Sequence, residues 1–249
     1  MGKYLYCIIK QNKPEKFTIS GIDGKQVYGI GYGDMSVMVS DTTKRDGDYL
    51  ITRDYTISHQ RVLEEVMRSG YDILPVSFGT IADNDKEIKE KLLAQRRDEF
   101  DKAFKYIGGK VELNLKILWK DISAVFKDIA TESKIIKKAK QISRHKSLGR
   151  FQAANVGEVV KKALEAKRTQ VAEKILCKVR PFAADTREGE ILQDAMICNE
   201  TFLVPKALGK DYDKRVIDLA RTYNGKLNFM HYGPLPPYNF VSIRVSFND

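Results

Sequence analysis

The sequence predicts an α+β fold in two domains, and three observations carry the prediction. Short alternating apolar runs bounded by glycine, proline and polar residues mark strands. Stretches with apolar residues three or four apart mark helices. The two kinds of element then recur in a similar order in the two halves of a 249-residue chain. A chain of this length can bury a sizeable core, and 43% hydrophobic against 31% charged residues is an ordinary globular composition.

Tyr4 to Ile9 opens as a strand, with Leu5, Cys7 and Ile9 on one face and Tyr4, Tyr6 and Ile8 on the other. Both faces are apolar, as expected of a central strand covered on two sides. Val27 to Gly33 and Met35 to Ser40 form a hairpin about Gly33-Asp34. A polar loop, Asp41 to Asp48, leads to a helix from about Asp54 to Ser69, with Ile57, Val62, Val66 and Met67 on one face and Gly70 as its stop. Ile73 to Phe78 is a short buried strand. Asp83-Asn84-Asp85 then starts a long helix, 85–107, marked by Ile88, Leu92, Arg96, Phe100 and Phe104 and ended by Gly108-Gly109.

In the second half Val111, Leu113, Leu115, Ile117 and Trp119 share one face of a strand. A helical hairpin, about 121–180, follows. Asp185 to Glu190 is a polar loop, and Ile191 to Cys198 and Thr201 to Val204 are strands about a tight turn. Tyr212 to Tyr223 is a helix, Lys226 to Tyr232 a strand, Pro234 to Pro237 a rigid bend, and Phe240 to Phe247 a last alternating strand. The first half, 1–107, thus reads as a modified ferredoxin-like βαββαβ unit whose first helix is replaced by a loop. The second, 108–249, reads as a larger ferredoxin-like α+β domain with a helical-hairpin insertion, an extra C-terminal strand and a tail at 233–249.

The net charge of +10 is concentrated. Lys134, Lys137, Lys138, Lys140, Arg144, Lys146 and Arg150 lie in 134–150 with no acidic residue among them, at the tip of the helical hairpin. Such a patch suits an acidic partner, and a plain solvated helix end is the competing reading. Cys7, Cys177 and Cys198 include no C-x-x-C pair, and Cys7 and Cys198 fall in strand patterns, so they read as reduced core residues. His59, His145 and His231 are scattered, and His59 is five residues before Glu64, not in zinc-protease spacing. Gly29-Ile30-Gly31-Tyr32-Gly33 has the wrong spacing for a dinucleotide loop and is followed by a strand. No catalytic, cofactor-binding or metal-ligating residue is singled out, and no cofactor is expected. No apolar run approaches the ~18 residues of a membrane span, and the N-terminus lacks a signal-peptide pattern. A cytoplasmic protein is expected. Tyr4, Tyr6, Tyr28 and Tyr32 have the period to form an aromatic platform for RNA, although the usual signature is missing and a covering helix explains them as well.

Several stretches together resemble one family. They include Tyr4-Leu5-Tyr6-Cys7-Ile8-Ile9, Asp34-Met35-Ser36-Val37-Met38-Val39-Ser40 and His59-Gln60-Arg61-Val62-Leu63-Glu64. Leu74-Pro75-Val76-Ser77-Phe78-Gly79-Thr80 and Gly233-Pro234-Leu235-Pro236-Pro237-Tyr238-Asn239-Phe240-Val241 are the most specific. The chain resembles the GvpF/GvpL family of gas vesicle proteins over nearly its whole length, GvpF more than GvpL. It departs from the family pattern at Leu235, where Trp is expected, and at Lys120, where Asp is common. The resemblance implies a non-enzymatic minor component of the gas vesicle that binds the hydrophobic shell protein GvpA and keeps it from aggregating during vesicle nucleation. On this reading Leu235, Tyr238 and Phe240 of the stiff Pro-rich bend form an apolar contact. Lys137, Lys138, Arg144, Lys146 and Arg150 of the hairpin tip form a charged one. A nucleic-acid-binding protein with tandem ferredoxin-like domains is the alternative.

Overall fold

The structure, a computed structural model, describes residues 1–12, 17–45, 48–132, 150–241, 243–245 and 247. It is an α+β fold whose chain divides into two compact units, Met1–Glu112 with Gly233–Asp249 and Leu113–Tyr232. The tail 233–249, which the sequence groups with the second half, therefore packs in the first unit.

Unit 1 is built on a sheet in the order β2 (Val27–Tyr32), β3 (Met35–Thr42), β1 (Gly2–Ile9), β4 (Ile73–Pro75), with β5 (Ile81–Ala82) also paired to β1. The pairs are antiparallel. Helix α1 (Arg53–Arg68) buries Val62, Leu63 and Val66 on one face, in a cluster with Tyr4, Tyr6, Cys7 and Ile9. On the other face Leu5 and Ile8 meet Ile88, Leu92, Phe100 and Phe104. The strand is thus covered on both sides, but not with the expected faces. A bulge between Leu5 and Cys7 inserts an extra residue against β3 and turns Cys7 and Ile9 to the side of Tyr4 and Tyr6.

The long helix also differs from a single α-helix. After one turn, α2 (Asp85–Glu87), it is π-helical over Ile88–Ala94 before α3 (Arg97–Ile107). An unbroken helix would carry Arg96 into the core on the line from Leu92 to Phe100. The wider π turn rephases the face, so Leu92, Leu93 and Phe100 stay buried while Arg96 pairs with Glu99. Asn84 caps the start, its side chain accepting from Glu87 N–H, and Glu87 accepts from Asp83 N–H. The expected strand Ile73–Phe78 shortens to β4, and Val76 N–H then bonds the Tyr6 carbonyl. The expected last strand, 240–247, is absent as a ladder among the described residues: one parallel bridge joins Ile243 to Val76.

Unit 2 holds a sheet ordered β7 (Asp185–Glu188), β8 (Met196–Pro205), β6 (Lys110–Trp119), β9 (Leu227–Leu235). Its helices are α4 (Ile122–Glu132), α5 (Arg150–Leu176) and α6 (Gly209–Thr222). Asp121 caps α4 by accepting from Ala124 N–H. Lys167 ties α5 to Asp128 and Glu132 of α4. Three expectations change here. Asp185–Glu188 is a strand, not a loop, because it pairs antiparallel with Glu200–Leu203. The two strands expected about Asn199-Glu200 are one, because both polar side chains find partners: Glu200 bonds Arg180, which opens the short turn Arg180–Phe182, and Asn199 bonds Asn114 of β6. The Pro-rich bend begins later than expected, since β9 runs on through a cis Gly233-Pro234 bond to Leu235.

Candidate partner-contact site

The Pro-rich bend is fastened to unit 1 by two polar anchors. Pro236 and Pro237 are buried, and Tyr238, Phe240 and Val241 N–H groups turn back onto the Pro236 and Pro237 carbonyls. Asn239 donates from its backbone (3.0 Å) and from Nδ2 (2.6 Å) to the two carboxylate oxygens of Glu112. Burial pushes the Glu112 carboxyl above its ordinary pKa, and the two Asn239 donors oppose that shift. The tail is thereby held to Glu112, an almost fully buried carboxylate of the same unit.

The second anchor is a directional chain through a buried histidine. Gly79 N–H donates to Tyr4 Oη (3.0 Å) and Tyr4 Oη–H to His59 Nδ1 (3.0 Å). His59 Nε2–H donates to Tyr238 Oη (3.0 Å), and Tyr238 Oη–H to the Val76 carbonyl (3.4 Å). This order of donors requires a neutral imidazole protonated on Nε2. Burial lowers the His59 pKa to about 4, while a hydrogen bond to the Val76 carbonyl works against that shift. Burial likewise holds the Tyr4 and Tyr238 hydroxyls well above the usual phenol range, so both remain donors. Tyr238 is therefore an anchor by its hydroxyl, while its residue surface stays 39% exposed.

Of the residues singled out by sequence, Leu235 and Phe240 are half-buried and Tyr238 is exposed, all three on the same short segment. Lys137, Lys138, Arg144 and Lys146 lie outside the described residues. Arg150 opens α5, and its side chain is likewise not described. The tyrosine platform is not formed. Tyr4 and Tyr6 are fully buried beneath α1, and Tyr28 packs against the opposite cluster, with its hydroxyl bonded to Lys3 and Asp41. Helix α1 leaves no open face for bases to stack on the Tyr4 and Tyr6 rings, whereas Tyr32, at the end of β2, is exposed. Cys7 and Cys198 are buried free thiols. Burial drives the Cys7 pKa up strongly and that of Cys198 up to about 12, which keeps both unreactive.

Sequence reasoning missed three features. His59 and Glu112 hold the tail, and a histidine on the apolar face of α1 or a glutamate in an alternating strand names no partner that far along the chain. The third is Leu50-Ile51, 75% and 86% exposed just before Thr52, the N-cap of α1. Two adjacent aliphatics belonging to no periodic pattern were the available signal. Unit 2 adds an open cleft of about 510 Å³ lined in part by Trp119, Val125, Val171, Leu227 and Lys167.

Comparison with known proteins gives a consistent result. The family model described as gas vesicle synthesis protein GvpL/GvpF matches residues 2–242. Gas vesicle protein F of Dolichospermum flosaquae is 24% identical over 241 residues, 96% of this chain and 97% of that protein. The crystal structure of GvpF from Anabaena sp. PCC7120 superposes with a TM-score of 0.87 at 24% identity, covering 97% of this chain and 98% of that one. The crystal structure of GvpF from Microcystis aeruginosa gives a TM-score of 0.83 at 23% identity, with 96% and 98% covered. These likenesses establish the shared α+β fold.

Proposed function

The chain belongs to the GvpL/GvpF family of gas vesicle synthesis proteins, and from that premise we propose that it binds the small hydrophobic shell protein, GvpA, and keeps it from aggregating while a vesicle is nucleated. The observation that supports this reading is the extent of the likeness: the family model spans residues 2–242, nearly the whole of this chain. The chain acts in this reading by binding and not by catalysis, in the cytoplasm and at the gas vesicle. The exposed aliphatic pair Leu50-Ile51 and the bend at Leu235, Tyr238 and Phe240 support an apolar contact. The basic residues Lys137, Lys138, Arg144, Lys146 and Arg150 form a second, charged contact. We also read both sheets as ferredoxin-like. In each, the first strand is flanked by the third and fourth, with the second at the edge beside the third, and this order supports the assignment.

The test is light scattering of the shell protein diluted from denaturant, with and without this chain, followed by size exclusion of the mixture at low and moderate salt. Suppressed scattering with co-elution is expected. Co-elution lost with salt assigns the contact to the basic residues, and salt-insensitive co-elution to an apolar surface. Unchanged scattering with separate elution removes direct shell-protein binding as the function.

A further inference from the structure

The two edges of the unit 2 sheet are built differently. β7, at one edge, is four residues long, and Asp185, Arg187 and Glu188 put charges on it, as on a guarded edge strand. β9, at the other, runs nine residues from Leu227 to Leu235 with no Asp, Glu, Lys or Arg among them. Asn228 and every residue from Met230 to Pro234 are exposed. The two faces of β9 differ. Phe229 and His231 lie on the side of α6, Phe229 near Tyr223 just past its end and His231 against the Tyr212 ring, with centroids 5.4 Å apart. Met230 and Tyr232 alternate with them onto the other face and are 37% and 42% exposed. The backbone alternates as well. The Lys226 carbonyl accepts from Lys120 N–H, just past the end of β6, at 3.0 Å. Counting on by twos, Asn228, Met230 and Tyr232 turn their backbone groups toward β6, and Phe229, His231 and Gly233 turn theirs outward.

We infer that β9 is a self-pairing edge: two copies of the chain join β9 to β9, antiparallel about a twofold axis at His231, and their four-stranded sheets become one continuous sheet. The register is what selects a second copy as the occupant. His231 stands opposite His231 of the other copy, and the two residues exchange a pair of backbone hydrogen bonds. Phe229 and Gly233 of opposite copies do the same on either side of the axis. The residues between them form the non-bonded pairs, where side chains stand closest. There Met230 of each copy lies beside Tyr232 of the other, a thioether against an aromatic ring, and each chain covers the other's exposed apolar pair. A second β9 is also uncharged, so nothing along the strand repels its mate. The surface is therefore complementary to itself, which is the condition for a closed twofold contact. A single strand pair is a small interface, so the association is weak. This inference goes beyond the shell-protein reading, and its test uses no shell protein.

Sedimentation equilibrium of the full-length chain over about 5–500 μM, the range in which weak interfaces dissociate, should show the average mass rising from one chain toward two. His231→Pro removes an outward N–H and no bond to β6, and should weaken the dimer by about tenfold or more. Circular dichroism establishes that the variant is folded. Should it fail to fold, the double variant Met230→Lys/Tyr232→Lys decides. It changes only exposed side chains, sets lysines opposite one another across the axis and should abolish the dimer. The register is read by disulfide formation in a Cys177→Ser background, which removes the exposed native thiol. Met230→Cys mixed with Tyr232→Cys should cross-link about fivefold more than either alone. Ile217→Cys, at an exposed position on α6, is the control for random collision. A chain that stays monomeric throughout, a dimer that the folded variants leave unchanged, or cross-linking no greater than the control overturns the inference.

Discussion

His59 is neutral at neutral pH because of what surrounds it. Tyr4, Tyr6, Phe78 and Tyr238 face the ring, and no carboxylate is among them. Its folded pKa of about 4 lies below the 6.5 of an unhindered histidine. As pH falls, the unfolded chain therefore takes up the proton first. The stability this site contributes is complete above pH 6.5 and is lost progressively down to about 4, by about 3 kcal/mol in all. Urea unfolding at pH 7.5, 5.5 and 4.5 should show a steeper loss for wild type than for His59→Phe. The variant should itself be about 1–2 kcal/mol less stable at pH 7.5, since two tyrosine hydroxyls lose a partner. Equal slopes would mean that His59 is not buried neutral. Tyr6 makes a second prediction. Its hydroxyl bonds Ile22 N–H and Ser40 Oγ, both at 2.8 Å, and a Cβ on Gly21 would lie 2.1 Å from it. Tyr6→Phe should cost about 2 kcal/mol. Gly21→Ala should cost less in that background than in wild type, a coupling that a double-mutant cycle measures.

At the scale of elements, what could be read depended on whether neighbours intervened. The Gly33-Asp34 hairpin, helix α1 and the start at Asn84 follow from local chemistry, and the sequence shows them. Three other elements needed the fold. The β1 bulge lets both sides of the sheet be filled, and nothing local distinguishes it from an unbroken strand. The π turn at Ile88–Ala94 keeps Arg96 out of the core, where simple periodicity places it. β8 runs through Asn199-Glu200, which looks like a turn until Arg180 is beside it. Glu200 is 2% exposed and its carboxylate accepts from Arg180 Nε and Nη2 at 2.9 and 3.2 Å. Glu200→Ala should cost about 2 kcal/mol, below the usual figure for breaking a fully buried pair, because Arg180 stays one-third exposed and keeps Glu173. The single tryptophan, Trp119, lies in the same unit, so its fluorescence during urea unfolding reports the change.

At the scale of the molecule, unit 1 is assembled from both ends of the chain. Removing residues 233–249 takes away the buried residues Pro236, Pro237, Val241 and Ile243, and the partners of His59 and Glu112. At about 1.5–3 kcal/mol for each buried aliphatic, truncation after Tyr232 should destabilise unit 1 by at least about 3 kcal/mol. Hydrogen exchange at the β1 and β3 amides should accelerate accordingly, and unchanged protection would show the tail to be dispensable for the core. By itself the sequence determined the periodicities, most element types and the motif stretches that mark the family, because each of these is written in residues near one another. Only the tertiary structure decided which faces the tyrosines of β1 present, that His59 and Glu112 are anchors, and that the tail serves the first unit. The bonds responsible join residues 127 to 179 positions apart, and a pattern of burial along a chain specifies that a side chain is covered without specifying what covers it.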